Sequence, residues 1–329
     1  MAGNNISILG TGAYVPEAVL TNEHLEKLVD TSAQWIVERS GIKERRIAAP
    51  EENIATMAAA AARQALDNAG IEPSQLSYIL LGTNSPDYLY PAAAIRVQDA
   101  LGMSGRLGAF DLQAGCSGFS YGLYLAERLA APEGKYALVI GSDANSRFTD
   151  WTDRSTCLLF GDGAGAVVLG PARKGRILAS FIASSLNMNL YCATEFNAEV
   201  SPFLPPQTHA TRSFLRMDGP EIFKFAVNAV KESIRRIVEL AGIEREELDF
   251  LIIHQGNYRI LEAGAKFAKV PMEKVYVNIH RYGNTSAASV PIALHEAVTE
   301  GCIKEGDKVL LISFGAGATW GASLVEWGK

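Results

Sequence analysis

The feature that most constrains this chain is a worn internal repeat. Ala69-Gly70-Ile71-Glu72, then Leu76 and the run Tyr78-Ile79-Leu80-Leu81, returns 172 positions later as Ala241-Gly242-Ile243-Glu244, Leu248 and Phe250-Leu251-Ile252-Ile253. An amphipathic helix precedes each copy, Ile54 to Asn68 and Glu221 to Leu240, and glycine stops it. The match continues at a similar offset. Ala109-Phe110-Asp111-Leu112 with Gly115-Cys116 corresponds to Tyr276-Val277-Asn278-Ile279 with Gly283-Asn284, and Tyr136 to Gly141 corresponds to Val309 to Gly315. A repeat of this size specifies two similar α/β halves rather than a solenoid. Each half should hold a mixed sheet covered by helices. Packed about a pseudo-dyad, they place Cys116 and Asn284 at equivalent turns that face one another across the join. The competing reading is that Ala-Gly-Ile stretches and apolar strands recur in unrelated α/β proteins.

The expected division is 1–174 and 175–329, with the linker near Gly170 to Gly175. The least regular stretch, Leu186 to Arg216, carries Pro202, Pro205 and Pro206 and reads as a functional cover or a partly mobile loop. The chain has 329 residues, 48% apolar and 20% charged, which suits a large buried core or two half-sized ones and argues against disorder. No apolar run approaches bilayer length, and the first residues do not form a signal peptide. The four cysteines, 116, 157, 192 and 302, form no C-x-x-C pair, so a reduced cytoplasmic compartment is expected. Cys157 reads as a buried strand thiol. The net charge of −6 argues against a general nucleic-acid binder but leaves room for a local basic patch.

Three residues carry the chemistry: Cys116, His254 and Asn284, each read at the end of an apolar strand-like run. A thiol can carry an acyl group, while an imidazole and an amide can donate hydrogen bonds to a developing enolate or oxyanion. Cys116 should open a helix from Ser117 to Leu129, where the macrodipole favours thiolate. The competing readings are a small core residue for Cys116, a satisfied core histidine for His254 and a helix N-cap for Asn284. Against the second, Gln255, Gly256 and Asn257 follow His254, and a polar cluster at a buried strand end is costly unless used. Other motifs fail. Gly10-Thr11-Gly12 is not followed by a helix, Gly161 to Gly165 leads into a strand, and His295-Glu296 lacks the second His of a zinc helix. Asn284-Thr285-Ser286 is a glycosylation acceptor only in a secreted protein.

These motifs, in this order, resemble the thiolase superfamily and, within it, β-ketoacyl-acyl-carrier-protein synthase III. The similarity runs through Gly10 to Glu17, Val29 to Ile36, Arg39 to Ala48, Phe160 to Ala166, Tyr282 to Pro291 and Phe314 to Gly321. It implies an α/β, thiolase-like, five-layered αβαβα subunit with two pseudo-symmetric halves, working as a homodimer. It implies decarboxylative Claisen condensation of an acyl-CoA starter with malonyl-acyl-carrier-protein, initiating fatty-acid synthesis, with no metal and no cofactor. Position by position, Cys116 would be the acylated nucleophile, assisted by His254 and Asn284. The N–H groups of Cys116 and Ala316 would form the oxyanion hole. Trp35 and Arg154 would sandwich the CoA adenine and Arg39 would meet its phosphates. Phe160 would line the tunnel, Phe314 would pack against the nucleophile, and Tyr90 would reach into the partner subunit's acyl pocket. Lys224, Arg259 and Lys266 would dock an acidic acyl carrier protein, with Lys231, Arg235 and Arg236 extending the patch.

The sequence departs from the family's pattern at Ile253 (usually Pro), Gly256 (usually Ala), Ala318 (usually Phe) and Pro220 (usually Asn or Lys). Ser184 to Leu190 lacks the usual Asp-Gly. These departures admit a related condensing enzyme of secondary metabolism with another starter or acceptor. A non-catalytic acyl-thioester-binding subunit on the same fold is the reading of a different class.

Overall fold

The computed structural model describes residues 5–130, 132, 134–186 and 214–328. Residues 187–213 of the cover segment, which include Cys192 and the part of the Ser184–Leu190 departure beyond residue 186, lie outside them. The first half runs β1 (Ile6–Tyr14), β2 (Val19–Thr21), α1 (Asn22–Leu25), α2 (Ala33–Ser40), β3 (Glu44–Arg46), α3 (Ile54–Ala69), β4 (Leu76–Gly82), α4 (Ala93–Ala100), β5 (Gly108–Leu112), α5 (Gly118–Ala130), β6 (Tyr136–Ala144) and β7 (Asp162–Pro171). The second runs β8 (Arg176–Ser184), α6 (Gly219–Ala241), β9 (Phe250–Ile253), α7 (Tyr258–Ala268), α8 (Ile279–Tyr282), α9 (Ser289–Thr299), β10 (Lys308–Gly315) and β11 (Thr319–Glu326).

The repeat is visible in the sheets. One has the order β1-β7-β6-β4-β5 and the other β8-β11-β10-β9. In each, one central strand (β6 or β10) is parallel to one neighbour (β4 or β9) and antiparallel to the other (β7 or β11). The second sheet lacks a counterpart of β5; a single bridge from Leu251 to Val275 stands there instead.

Alternation along the strands builds five layers, because successive strand side chains point to opposite faces. Ile79 and Leu81 of β4 and Leu138 and Ile140 of β6 face α3 and α4. Leu80 and Val139 face the other way, onto Phe119 and Leu123 of α5 and Val290 and Leu294 of α9. The inner face of the second sheet, Phe250, Ile252, Val309 and Leu311, closes on the same two helices. Its outer face, Leu251, Ile253, Leu310 and Ile312, is covered by α6 and α7. The order is therefore helix, sheet, helix, sheet, helix. The middle helices are enclosed on both sides, which is why α5 is apolar nearly all round. Each large apolar side chain buried there contributes about 1.5–3 kcal/mol.

Two local expectations change. Asn284 does not end a strand: after Val277 the backbone turns into α8, and Gly283 at φ 62° delivers Asn284 from that short helix. A β-branched run gave way there because Asn278 and Ile279 donate their backbone N–H groups to the Gln255 side chain at 3.0 and 3.1 Å. Cys157 is buried but sits in a turn, not a strand, and burial pushes its thiol up to about 11.

The halves approach closely where β6 passes under the turn Ser286–Ala288. A Cβ on Gly141 would collide with the carbonyl oxygen of Ala287. Gly141→Ala should therefore force backbone movement at the join and lower stability by at least about 1–3 kcal/mol. Urea unfolding with an unchanged midpoint would refute this contact.

Candidate active site

Cys116 stands two residues before α5, in a turn that follows β5. Gly115 adopts φ 56°, a region that favours glycine, and the N–H groups of Ser117 and Gly118 donate to the carbonyls of Ala114 and Gly115, each at 3.1 Å. The end of β10 fits against this turn with almost no space. A Cβ on Gly315 would collide with the backbone nitrogen of Cys116, and one on Gly115 would lie 2.9 Å from the nitrogen of Ala316. The two glycines thus bring the Cys116 and Ala316 backbones together, one from each half. Cys116 itself is half-buried.

His254 follows β9 and is 2% exposed. Its N–H donates to the carbonyl of Ile312 at 2.8 Å, so its backbone continues the ladder. Nδ1 lies 2.7 Å from Oγ of Ser289, which also accepts the N–H of Gln255 at 2.9 Å. Among the described residues the Ser289 hydroxyl hydrogen has no other acceptor, so it donates to Nδ1 and leaves the proton on Nε2. The ring stands edge-on to Phe314, centroids 4.9 Å apart. Desolvation pushes its pKa down to about 3, so the imidazole is neutral. Phe314 therefore packs on His254, and its neighbour Gly315 abuts the backbone of the nucleophile.

Asn284 is held by its own turn. Its N–H donates to Leu159 at 2.9 Å, its carbonyl accepts from Gly161 at 3.0 Å, and Oδ1 accepts the N–H of Ser286 at 2.8 Å. That is an Asx turn, not a helix N-cap. It fixes the amide and leaves Nδ2 without a protein acceptor among the described residues. Asn284 also bridges to Phe160, which is buried.

A cavity of about 180 Å³ opens on Cys116, lined among others by Gln113, Phe148, Phe160, Leu215, Ser286 and Ala316. Cys116, Phe160 and Ala316 therefore share one space. Four polar residues around it escaped the sequence reading: Ser286 and Ser289, just described, and Asn84 and Asp143. The last two follow or end the buried runs of β4 and β6, the same signal that singled out His254.

The outlying positions are more dispersed. Trp35 on α2 is 37% exposed; Arg154 lies directly over its ring at 4.3 Å and Arg39 at 5.8 Å. Lys224 on α6 and Arg259 and Lys266 on α7 are exposed. Arg259 also donates to the carbonyl of Glu38 at 3.1 Å, tying α7 to α2. Of the proposed extension, Arg235 pairs with Glu239 at 3.8 Å and Arg236 lies 4.5 Å over Phe181, so both are already engaged. Tyr90 is 84% exposed beside Tyr88 and Leu89.

Two family models match the chain: 3-oxoacyl-[acyl-carrier-protein] synthase III at residues 110–185, and the C-terminal domain of the same synthase at 238–327. The chain is 46% identical over 327 residues to the β-ketoacyl-[acyl-carrier-protein] synthase III of Symbiobacterium thermophilum, covering 98% of each. The corresponding Aquifex aeolicus protein is 47% identical over 322 residues, covering 97% of this chain and 99% of that one. The chain belongs to the β-ketoacyl-acyl-carrier-protein synthase III family. Its fold is that of the Aquifex aeolicus synthase crystal structure, with a TM-score of 0.90 at 45% identity over 98% of this chain and all of that one. The priming β-ketosynthase of the R1128 polyketide pathway is more distant, 31% identical at a TM-score of 0.89, covering 98% of this chain and 96% of that one. As a synthase III family member the chain is an acyltransferase with the thiolase-like fold.

The neutral state of His254 has a pH consequence. Its folded pKa is depressed, so between its ordinary 6.5 and about 3 the unfolded chain binds a proton that the folded chain refuses. Stability from this group is present above that window and is lost as pH falls through it. Histidine NMR, assigned with His254→Gln, should show a neutral Nε2–H ring at His254 from about pH 8 down to about pH 5. An imidazolium at neutral pH would refute the assignment.

Proposed function

We propose that the chain condenses an acyl-CoA starter with malonyl-acyl-carrier-protein through a Cys116 acyl-enzyme, initiating fatty-acid synthesis. The observation that carries this reading is the pairing of a neutral, buried imidazole with a fixed amide. Both present N–H groups, neither is positioned as a strong base, and enolate stabilisation needs donors. A carboxylate at either place would repel the developing charge.

In this reading the Cys116 thiolate attacks the thioester carbonyl of acyl-CoA. The oxyanion is held by the N–H groups of Cys116 and Ala316, then CoA thiolate leaves and takes up a proton. The malonyl thioester enters and loses carbon dioxide. Its C–C bonding pair becomes the enolate, with charge on the thioester oxygen facing Nε2 of His254 and Nδ2 of Asn284. The enolate carbon attacks the acyl carbonyl, and Cys116 leaves as thiolate. The protein's own groups suffice, so the reading calls for no metal or cofactor.

CoA is assigned to Trp35, Arg39 and Arg154. Since Arg154 already covers the Trp35 ring, an adenine sandwiched between them must lift the guanidinium by about one ring thickness. The carrier protein, taken as acidic, is assigned to Lys224, Arg259 and Lys266. A homodimer is supported by the edge strand β5, whose five residues are all only half-buried, and by exposed Tyr88, Leu89, Tyr90 and Ile95 beside it. Tyr90 is the residue assigned to the partner's acyl pocket. The halves 1–174 and 175–329 are taken as the two structural units, with the nucleophile on the first and both donors on the second. Cytoplasmic action is part of the same proposal; no helix among the described residues is long and apolar enough to cross a membrane. The greater identity to the Aquifex aeolicus synthase than to the polyketide priming enzyme favours primary over secondary metabolism.

Mixed with a panel of acyl-CoAs, the protein should gain one acyl mass at Cys116, and Cys116→Ser should gain none, because a hydroxyl lacks a base here. Stable acylation at Cys157, Cys192 or Cys302 would overturn the assignment.

His254→Ala and Asn284→Asp should spare self-acylation while slowing condensation by about 10²–10³-fold, the usual effect of removing one oxyanion donor. Loss of acyl-enzyme formation with malonyl decarboxylation intact would reverse the roles.

A further inference from the structure

We propose that Ser286 is a catalytic hydrogen-bond donor that holds Cys116 as thiolate. The inference deepens the reading of Cys116 as nucleophile and rests on it. Oγ of Ser286 lies 3.4 Å from Sγ of Cys116. Ser286 adopts φ 55°, a left-handed conformation unusual for a side chain with a Cβ, and strain of this kind gathers at functional sites. What keeps it there is visible: its N–H is bound to Oδ1 of Asn284 at 2.8 Å, and Nδ2 of Asn84 reaches its hydroxyl at 3.2 Å.

The direction of the Ser286–Cys116 bond follows from Asp143. This carboxylate is fully buried and accepts from Thr83 Oγ1 at 3.1 Å, the Asn84 N–H at 2.7 Å, Ser85 Oγ at 2.9 Å and the Ala287 N–H at 3.1 Å. The Asn84 amide touches Asp143 Oδ2 at 3.2 Å and the Gly115 carbonyl at 3.1 Å, both acceptors. Only the NH₂ group can face them, so the amide orientation is fixed by chemistry. Ser286 Oγ then faces an amide nitrogen, which has no lone pair to accept the serine hydrogen. Among the described residues, its own hydrogen is left for the one other partner in reach, the sulfur. A hydroxyl donating to sulfur favours the charged form. It acts together with the positive end of α5, which alone exerts only a diffuse effect.

The titratable groups on the surrounding elements are His254 after β9, Asp143 on β6, Asp111 on β5, Tyr121 on α5 and Arg147 after β6. Asp111 is engaged by the N–H groups of Ala93 and Ala94, Tyr121 by the Ala183 carbonyl, and Arg147 by Asp87. The ends of β10, β11 and α9 at the site carry Phe314, Thr319 and Ser289, with no charge.

The test is the pH dependence of Cys116 alkylation by iodoacetamide, read by peptide mass spectrometry on the full chain. Ser286→Ala should raise the apparent thiol pKa by about one unit, leaving about tenfold less thiolate at neutral pH, with the high-pH plateau rate kept. Ser286→Gly should give the same shift, although glycine accepts the backbone conformation and secures a folded variant. A lowered plateau with an unchanged pKa in both variants would mean a packing role only and would overturn the proposal. Alkylation does not require acyl transfer. A protein that shows the shift but forms no acyl-enzyme therefore keeps this inference and loses the functional reading instead.

Discussion

The active site hangs on one buried carboxylate. Asp143 ends β6 at the join of the two halves, with no exposure to solvent. It collects donors from the end of β4 in its own half and from Ala287 in the other. A carboxylate removed from water is costly unless its oxygens are satisfied, and a half-satisfied network is worse than an apolar one. Here the donors come from segments that would otherwise be independent, so satisfying Asp143 fixes their relative positions. Asn84 extends this order to the Gly115 carbonyl and to Ser286. Removing one partner of such a buried charge typically costs about 3–5 kcal/mol. The loss would fall on the alignment of the site as well as on stability.

The second constraint is dryness around His254. Among the described residues no carboxylate faces its ring; Ser289 and Phe314 do. Histidine is often recruited as a base, and a neighbouring acid then raises its pKa. This one is prevented from charging, which converts it into a neutral donor whose tautomer is chosen by a hydroxyl. The same logic governs Asn284, whose Oδ1 is consumed by its own turn so that only the NH₂ can act. In both cases the protein spends one polar atom locally to direct the other.

Much of this was legible in the sequence because period and glycine placement speak directly. The alternation in β4 and β9 and the Gly70 and Gly242 helix stops fixed the repeat, and the repeat implied a site at the join. The polar residues following apolar runs marked Cys116 and His254. What stayed hidden was set by tertiary contacts. Nothing local announces that Gln255 will capture the N–H groups of Asn278 and Ile279 and turn a strand-like run into α8. Nor does it announce that Ser286 and Ser289, two serines in one short stretch, serve the sulfur and the imidazole respectively. Nor is the contact of Arg236 with Phe181 legible locally, because the two meet only across the sheet.

The family departures around His254 can be weighed by what each side chain meets. Ile253, where the family usually has Pro, points away from the site into the outer core, and its Cδ1 occupies the space that a Cβ on Gly264 would need. The substitution is therefore absorbed by packing between β9 and α7. Ala318 is fully buried two residues after Ala316. Gly256 differs in kind. A Cβ there would stand 3.2 Å from Nε2 of His254, tighter than an ordinary contact, so an alanine would press on the atom that carries the proton. Glycine removes that pressure and opens the donor side of the ring. Of the departures the structure describes, this one alone reaches a chemical group of the site, and it does so without displacing it.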